Sequence, residues 1–209
     1  MRLLKTATKL VFSVAATTLF LTGCNEQPRY LDANHPESNK AQTLGLDYQD
    51  FRKASSDAIQ SMLQSGALNR PGGGRYVLAI STIINDTTQR IDMDQLVKSI
   101  RISLLQSGKV IVTTAVRAGG AEDTMSYEAR QLRNSDEFNQ KTVAQKGQMI
   151  APDFSLSGKI IQRDATLATG ETKVDYYIQL TLTDIKTGLA YWEGETVITK
   201  AGSGKTVNW

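Results

Sequence analysis

From about residue 153 the spacing of apolar residues changes from that of a helix to that of a strand, and this change constrains the fold more than any other feature. From residue 173 onward, Val174, Tyr176, Ile178, Leu180 and Leu182 alternate without a break with Lys173, Asp175, Tyr177, Gln179, Thr181 and Thr183. A period of two over that length is the pattern of a strand with one face buried. Phe154, Leu156 and Ile160 alternate in the same way with Ser155, Ser157 and Lys159. Ala168-Thr169-Gly170 and Lys186-Thr187-Gly188 read as hairpin turns, and residues 190–200 (AYWEGETVITK) as the returning strand, so the C-terminal third predicts a three-stranded antiparallel meander.

Upstream, the period is mostly 3.6. Residues 47–64 predict a helix whose apolar stripe is Phe51, Ala54, Ala58, Met62 and Leu63. After a glycine-rich loop (Arg70-Pro71-Gly72-Gly73-Gly74), the run from Tyr76 through Ile84 reads as a central strand covered on both faces. Asp92 is a good N-cap for the clearest helix, with Met93, Leu96, Val97, Ile100 and Leu104 on one face and Gly108 beyond its end. Residues 109–116 (KVIVTTAV) predict a second strand, parallel to the first by the usual crossover. Residues 122–133, and more briefly 139–147, predict further helices. The expected architecture is α/β: a single domain with a mixed sheet of four to five strands, built as strand, helix, strand, helix and then the meander, with helices packed on it.

The amino-terminal segment is of another kind. Arg2, Lys5 and Lys9 precede an uncharged apolar stretch, residues 10–21 (LVFSVAATTLFL), which fits the core of a signal peptide and is short for a membrane span. Leu21-Thr22-Gly23-Cys24 follows and resembles the lipobox of bacterial lipoproteins, whose cysteine becomes the first residue after cleavage and carries a diacylglyceryl group and an N-acyl chain. The resemblance implies that Cys24 is a lipid-attachment site and that the protein is held to a membrane by acyl chains. Asn25 after it, in place of aspartate, implies by the enterobacterial sorting rule an outer-membrane protein facing the periplasm. Residues 25–46 are polar, carry two prolines and show no sustained period, the composition of a disordered tether. That tether would reach at most about 70–80 Å. The expected organisation is a signal peptide over 1–23, a lipidated N-terminus and tether over 24–46, a globular domain over 47–200 and a flexible tail over 201–209.

Composition then removes several function classes. The formal charge of +3 is that of Arg2, Lys5 and Lys9, so the exported chain is neutral and nothing in it favours nucleic acid or an anionic surface. The only histidine, His35, lies in the tether and the only cysteine is Cys24, which leaves no fold-held nucleophile–histidine pair and no zinc site. No carboxylate spacing marks an acid–base pair. Gly202-Ser203-Gly204-Lys205-Thr206 looks like the end of a phosphate-binding loop, but Thr199 stands where its first glycine belongs and no helix can follow in three residues. The chain is therefore expected to be non-enzymatic, with no cofactor, metal or small-molecule substrate, and monomeric. The candidate partner-binding residues are Asn85, Asp86, Thr87 and Arg90, in a polar loop at a strand's carboxyl end, and Tyr177 and Tyr191, placed among polar neighbours.

Several stretches resemble the LpoB-type activators of penicillin-binding proteins. These are residues 79–105 with Asn85-Asp86-Thr87 in their loop, residues 133–139 (RNSDEFN), residues 151–158 (APDFSLSG), and residues 180–194 ending KTGLAYWEG. The resemblance implies an outer-membrane lipoprotein that docks on the accessory domain of a class A penicillin-binding protein and stimulates peptidoglycan synthesis. Members known for this activity carry a much longer proline-rich tether. A competing reading is a component of an outer-membrane assembly or secretion complex, as in ring-forming curli-export-type lipoproteins, although no spare pair of strands of about ten residues is available to cross a membrane.

Overall fold

The computed structural model describes residues 43–117 and 121–203. The expected signal peptide, Cys24 and His35 lie outside them, as do residues 204–209. In chain order the elements are α1 (Tyr48–Gln64), β1 (Tyr76–Asp86), α2 (Met93–Gln106), β2 (Val110–Val112), α3 (Met125–Gln131) with a 3-10 turn over Leu132–Asn134, and the strands β3 (Phe154–Thr166), β4 (Thr172–Asp184) and β5 (Ala190–Gly202). The five strands form one sheet in the order β2-β1-β3-β4-β5. β1 is parallel to both β2 and β3, and β3, β4 and β5 run antiparallel to one another.

The meander forms as its alternation predicts. Val174, Tyr176, Ile178, Leu180 and Leu182 are all buried, together with Phe154, Leu156 and Ile160 of β3. Against this face lie Phe51, Ala54, Ala58, Ile59 and Met62 of α1 and Leu96, Ile100 and Leu104 of α2. Each large aliphatic side chain so buried contributes about 1.5–3 kcal/mol. Asp47 caps α1 through a reciprocal box: its carboxylate accepts from the amides of Gln49 and Asp50, and the Asp50 carboxylate accepts from the Asp47 amide. Lys200 of β5 bonds to both carboxylates, at 3.2 Å to Asp47 and 2.5 Å to Asp50, tying the helix start to the edge of the sheet. Burial outweighs these bonds and holds the Asp50 carboxyl above the usual carboxylate range.

Four sequence expectations change. β1 is not covered on both faces throughout. Ile80 pairs with Leu156 but Ile83 with Gly158, so Ser81 and Thr82 together oppose Ser157. This bulge switches which side chains face the core. Leu78, Ile80 and Ile83 point in, and Ile84 is 55% exposed. The second strand ends at Val112 rather than 116, because the Thr113 hydroxyl accepts from the Ala115 amide and the Thr114 carbonyl from the Glu122 amide, turning the chain away. The helix expected over 122–133 is confined to Met125–Gln131 and the 3-10 turn. No helix forms over 139–147. There the side chains of Asn139, Gln140 and Gln145 bond to nearby backbone groups in place of a helical ladder.

Leu44, inside the stretch that reads as tether, is buried. Its carbonyl accepts from the Tyr176 hydroxyl at 2.9 Å, while Gln89 donates to that same hydroxyl. Tyr176 itself is fully enclosed. Replacing it by Phe leaves the Leu44 carbonyl and the Gln89 amide short of a partner, so Tyr176→Phe is expected to cost about 1–2 kcal/mol in a denaturant titration. Burial also pushes the Tyr176 hydroxyl from 10.0 up to about 12. An unfolded tyrosine ionises first, so this contribution is intact below pH 10 and is lost as the pH rises from there to 12. Absorbance at 295 nm should show one phenol ionising together with unfolding.

Candidate functional site

The carboxyl end of β1 and the loop after it hold four of the six residues singled out from sequence: Asn85 and Asp86 are the last two residues of the strand, not loop residues, and Thr87 and Arg90 follow it. Asn85 is half-buried. Its amide nitrogen donates to the Gln89 carbonyl at 2.8 Å, and its oxygen accepts from the amide and hydroxyl of Thr87. Asn85 and Thr87 therefore shape the loop and spend their polar groups on it. Gln89, not singled out from sequence, is the residue that turns inward. Its side-chain oxygen accepts from the Leu46 amide at 3.2 Å and its nitrogen reaches Tyr176. Asp86 pairs with Lys159 at 2.6 Å, and that hydrogen bond holds its carboxyl below the usual range. Arg90 is exposed.

Tyr177 lies on the outer sheet face. Through the register, Asp86, Ile161, Tyr177 and Val197 form one transverse row across β1, β3, β4 and β5. Tyr191 belongs elsewhere. It stands near the start of β5, 54% exposed, with its ring 5.1 Å from that of Phe154. The six candidates thus divide between one end of the sheet and the other.

The end carrying Tyr191 gathers residues that sequence reading missed. Phe154 meets Tyr76 edge-on at 4.8 Å, and the Arg70 guanidinium sits 5.1 Å over the Tyr76 ring, giving a continuous ladder Arg70–Tyr76–Phe154–Tyr191. Asp153 locks these strand starts together: its carboxylate accepts from the Val77 amide at 2.9 Å and its carbonyl from the Ile185 amide at 3.0 Å. At the β4–β5 turn Leu189 is 66% and Ile185 46% exposed, and Ile150, three residues before Asp153, is 74% exposed. Their sequence signal is weak, since each is a single apolar residue in a loop or turn, and only the sheet brings positions 153, 185 and 189 together.

The remaining perturbed groups have structural causes. Asp175 is held low by Lys173 and Thr199, Asp184 by the amides of its own turn, and Glu122 by Arg101. Among the described residues no group of three His, Cys, Asp or Glu could hold a metal ion, and no helix is long and apolar enough to cross a membrane. A shallow hollow of about 260 Å³ between α1 and β5, lined by Asp57, Ser61 and Glu195 among others, is open and polar.

The five strands and the helices packed on them define a one-sheet α/β domain with no metal-ligating cluster among the described residues. A family model, the peptidoglycan-synthase activator LpoB, matches residues 50–198, and the chain belongs to the LpoB family. That family comprises activators rather than enzymes. Among solved structures, the chain is similar to the C-terminal domain of LpoB from Escherichia coli, at 13% identity and a TM-score of 0.43 over 72% of this chain and 99% of that one. For the same domain from Salmonella enterica the values are 13%, 0.44, 72% and 99%. The PelC dodecamer from Paraburkholderia phytofirmans is similar at 19% identity and a TM-score of 0.31, over 62% and 73% of the two chains. No curated protein matches the chain.

Proposed function

We propose that this chain is a lipoprotein of the outer membrane, anchored through Cys24 and facing the periplasm, that binds a class A penicillin-binding protein and raises its rate of peptidoglycan synthesis. The observation that carries this reading is the match of the LpoB family model over residues 50–198, nearly the whole described domain. The chain acts as a monomer, without cofactor, metal or small-molecule substrate. It supplies no reacting group, only a surface that fits one conformation of the synthase better than another. A tenfold stimulation at saturation then needs a tenfold preference for the active form, about 1.4 kcal/mol. From Cys24 to Thr43 the chain spans at most about 65 Å when extended, so the docking domain of the synthase must rise to meet it.

The test is glycan polymerisation by the purified class A synthase of the same cell, with and without the full lipidated chain. A rate increase of several-fold is expected. An unchanged rate at saturating protein overturns the proposal. Cys24→Ala should abolish incorporation of labelled fatty acid into the chain and leave the signal segment uncleaved, read as a larger mass.

A further inference from the structure

Residues 43–46 form a short strap ahead of α1. Leu44 is its anchor, 4% exposed in the core. The Leu44 carbonyl accepts from the Tyr176 hydroxyl of β4 at 2.9 Å, the Gly45 carbonyl accepts from Lys200 of β5 at 2.7 Å, and the Leu46 amide donates to the Gln89 side chain at 3.2 Å. Gly45 lies close against Gln89. A Cβ there would stand 2.9 Å from the Gln89 side-chain oxygen, so a larger residue must push Gln89 aside. The strap also ends at a boundary that stands without it. Asp47 and Asp50 cap α1 through each other's amides and bond to Lys200, and β4 is paired along its length with β3 and β5. Residues 43–46 can therefore leave as a unit while helix and sheet persist, a local opening well short of global unfolding.

The β1–α2 loop lies on the other side of this contact. Asn85, Thr87 and Gln89 bond among themselves and shape it as a tight turn on the end of β1. Two hydrogen-bonded fastenings tie it to elements beyond β1. The amide and hydroxyl of Thr88 donate to the buried Gln162 of β3 at 3.3 and 3.2 Å. The Gln89 side chain bridges the Leu46 amide and the Tyr176 hydroxyl. Both halves of that second fastening depend on the strap. One partner is a strap amide. The other is a hydroxyl that the strap orients, because Tyr176 gives its proton to the Leu44 carbonyl and so turns its lone pairs to Gln89. When the strap leaves, one of the two fastenings of the loop goes with it.

We infer that residues 43–46 and the β1–α2 loop form one latch with two positions. Docked, the strap holds the loop to the sheet through Gln89; released, it frees the loop along with itself. The exposed Arg90 sits on the part that loosens, and every residue ahead of Thr43 is joined to the domain through the strap. A load on the chain ahead of Thr43 and a contact that favours the loosened loop therefore act on one equilibrium and reinforce each other.

Native-state amide hydrogen exchange on the full chain tests the latch, because the reporting amides are bonded away from the altered side chains. Thr87 and Gln89 donate within the loop and Thr88 donates to Gln162, none of them to the strap. Leu44→Ala is expected to speed exchange of these three amides about tenfold, while the amides of Val174–Leu182 stay within about twofold of wild type. In the other direction, Asn85→Ala removes no bond to the strap and should speed exchange of the Leu46 amide. Gly45→Ala only adds a methyl against Gln89, should repeat the Leu44→Ala pattern, and carries the test if Leu44→Ala does not fold. At the Thr88 amide the double variant Leu44→Ala/Asn85→Ala should fall short of the product of the two single effects. Loop exchange unchanged in both strap variants, or Leu46 exchange unchanged in Asn85→Ala, overturns the latch. A double variant equal to the product means two independent openings and overturns it as well. So does a rise shared equally by Val174–Leu182, which is loss of overall stability rather than release of a strap.

Discussion

Gly158→Ala is expected to lower stability by about 3 kcal/mol, and Gly158→Val to prevent folding. Gly158 lies in β3, opposite Leu180 of β4 and Ile83 of β1. A Cβ there would stand 2.4 Å from the Gln179 carbonyl oxygen and 2.7 Å from Cδ2 of Leu180. The first of these neighbours is backbone, in a strand bonded to β3 along its whole length, so it cannot turn aside as a side chain could. Relief requires β3 and β4 to separate locally, which places the cost at the upper end of overpacking penalties. For a domain of this size about 3 kcal/mol lowers the thermal midpoint by about 6–12 °C. Gly170→Ala is the comparison. Gly170 has φ +82° and nothing within 4 Å of an added Cβ, so only the left-handed backbone is penalised, by about 1 kcal/mol. Equal losses in the two variants would disprove the close approach at Gly158.

The second large effect concerns Arg101 and Glu122, which hydrogen-bond and pair side chain to side chain. The Arg101 side chain is 11% exposed, against 30% for Glu122, and its Nε is buried without a partner. The two single deletions should therefore differ. Glu122→Ala leaves a guanidinium in the protein interior and is expected to cost about 3 kcal/mol, the low end for a buried pair. Arg101→Met keeps the apolar stem and leaves a carboxylate that water can reach, at about 1 kcal/mol. The double variant should lie closer to wild type than Glu122→Ala does, a coupling that a double-mutant cycle reads directly. The hydrogen bond from Arg101 also holds the Glu122 carboxyl below its ordinary 4.5. The pair's contribution is complete above that pH and declines as the pH falls below it through the folded value. Acid unfolding of Glu122→Gln should lack this component.

Local pattern determined how much of the architecture could be read from sequence. The meander and α2 were legible because one face of β4 is buried without a break from Val174 to Leu182 and α2 buries Leu96, Ile100 and Leu104 on one side, and because Asp92 and the glycines at 108, 170 and 188 mark the ends. Sequence alone did not reveal the bulge, since an apolar Ile83-Ile84 pair fits either phase. Nor did it exclude a helix over 139–147, where three amide side chains compete with the backbone. For the candidate site, polarity identified the β1–α2 loop as exposed but not that Asn85 and Thr87 satisfy each other. The Arg70–Tyr76–Phe154–Tyr191 ladder joins positions 121 residues apart, and no local signal carries that distance.

The extra residue at Ser81-Thr82 acts as a phase shifter. Because a strand has a period of two, removing one residue there would leave a regular strand in which Ile83 still faces in and Ile84 still faces out. Asn85 and Gln89 would keep their places, so the entry segment at Leu44 would keep its hold. A relative that lacks the extra residue, aligned without a gap at this position, would be compared with inside and outside exchanged.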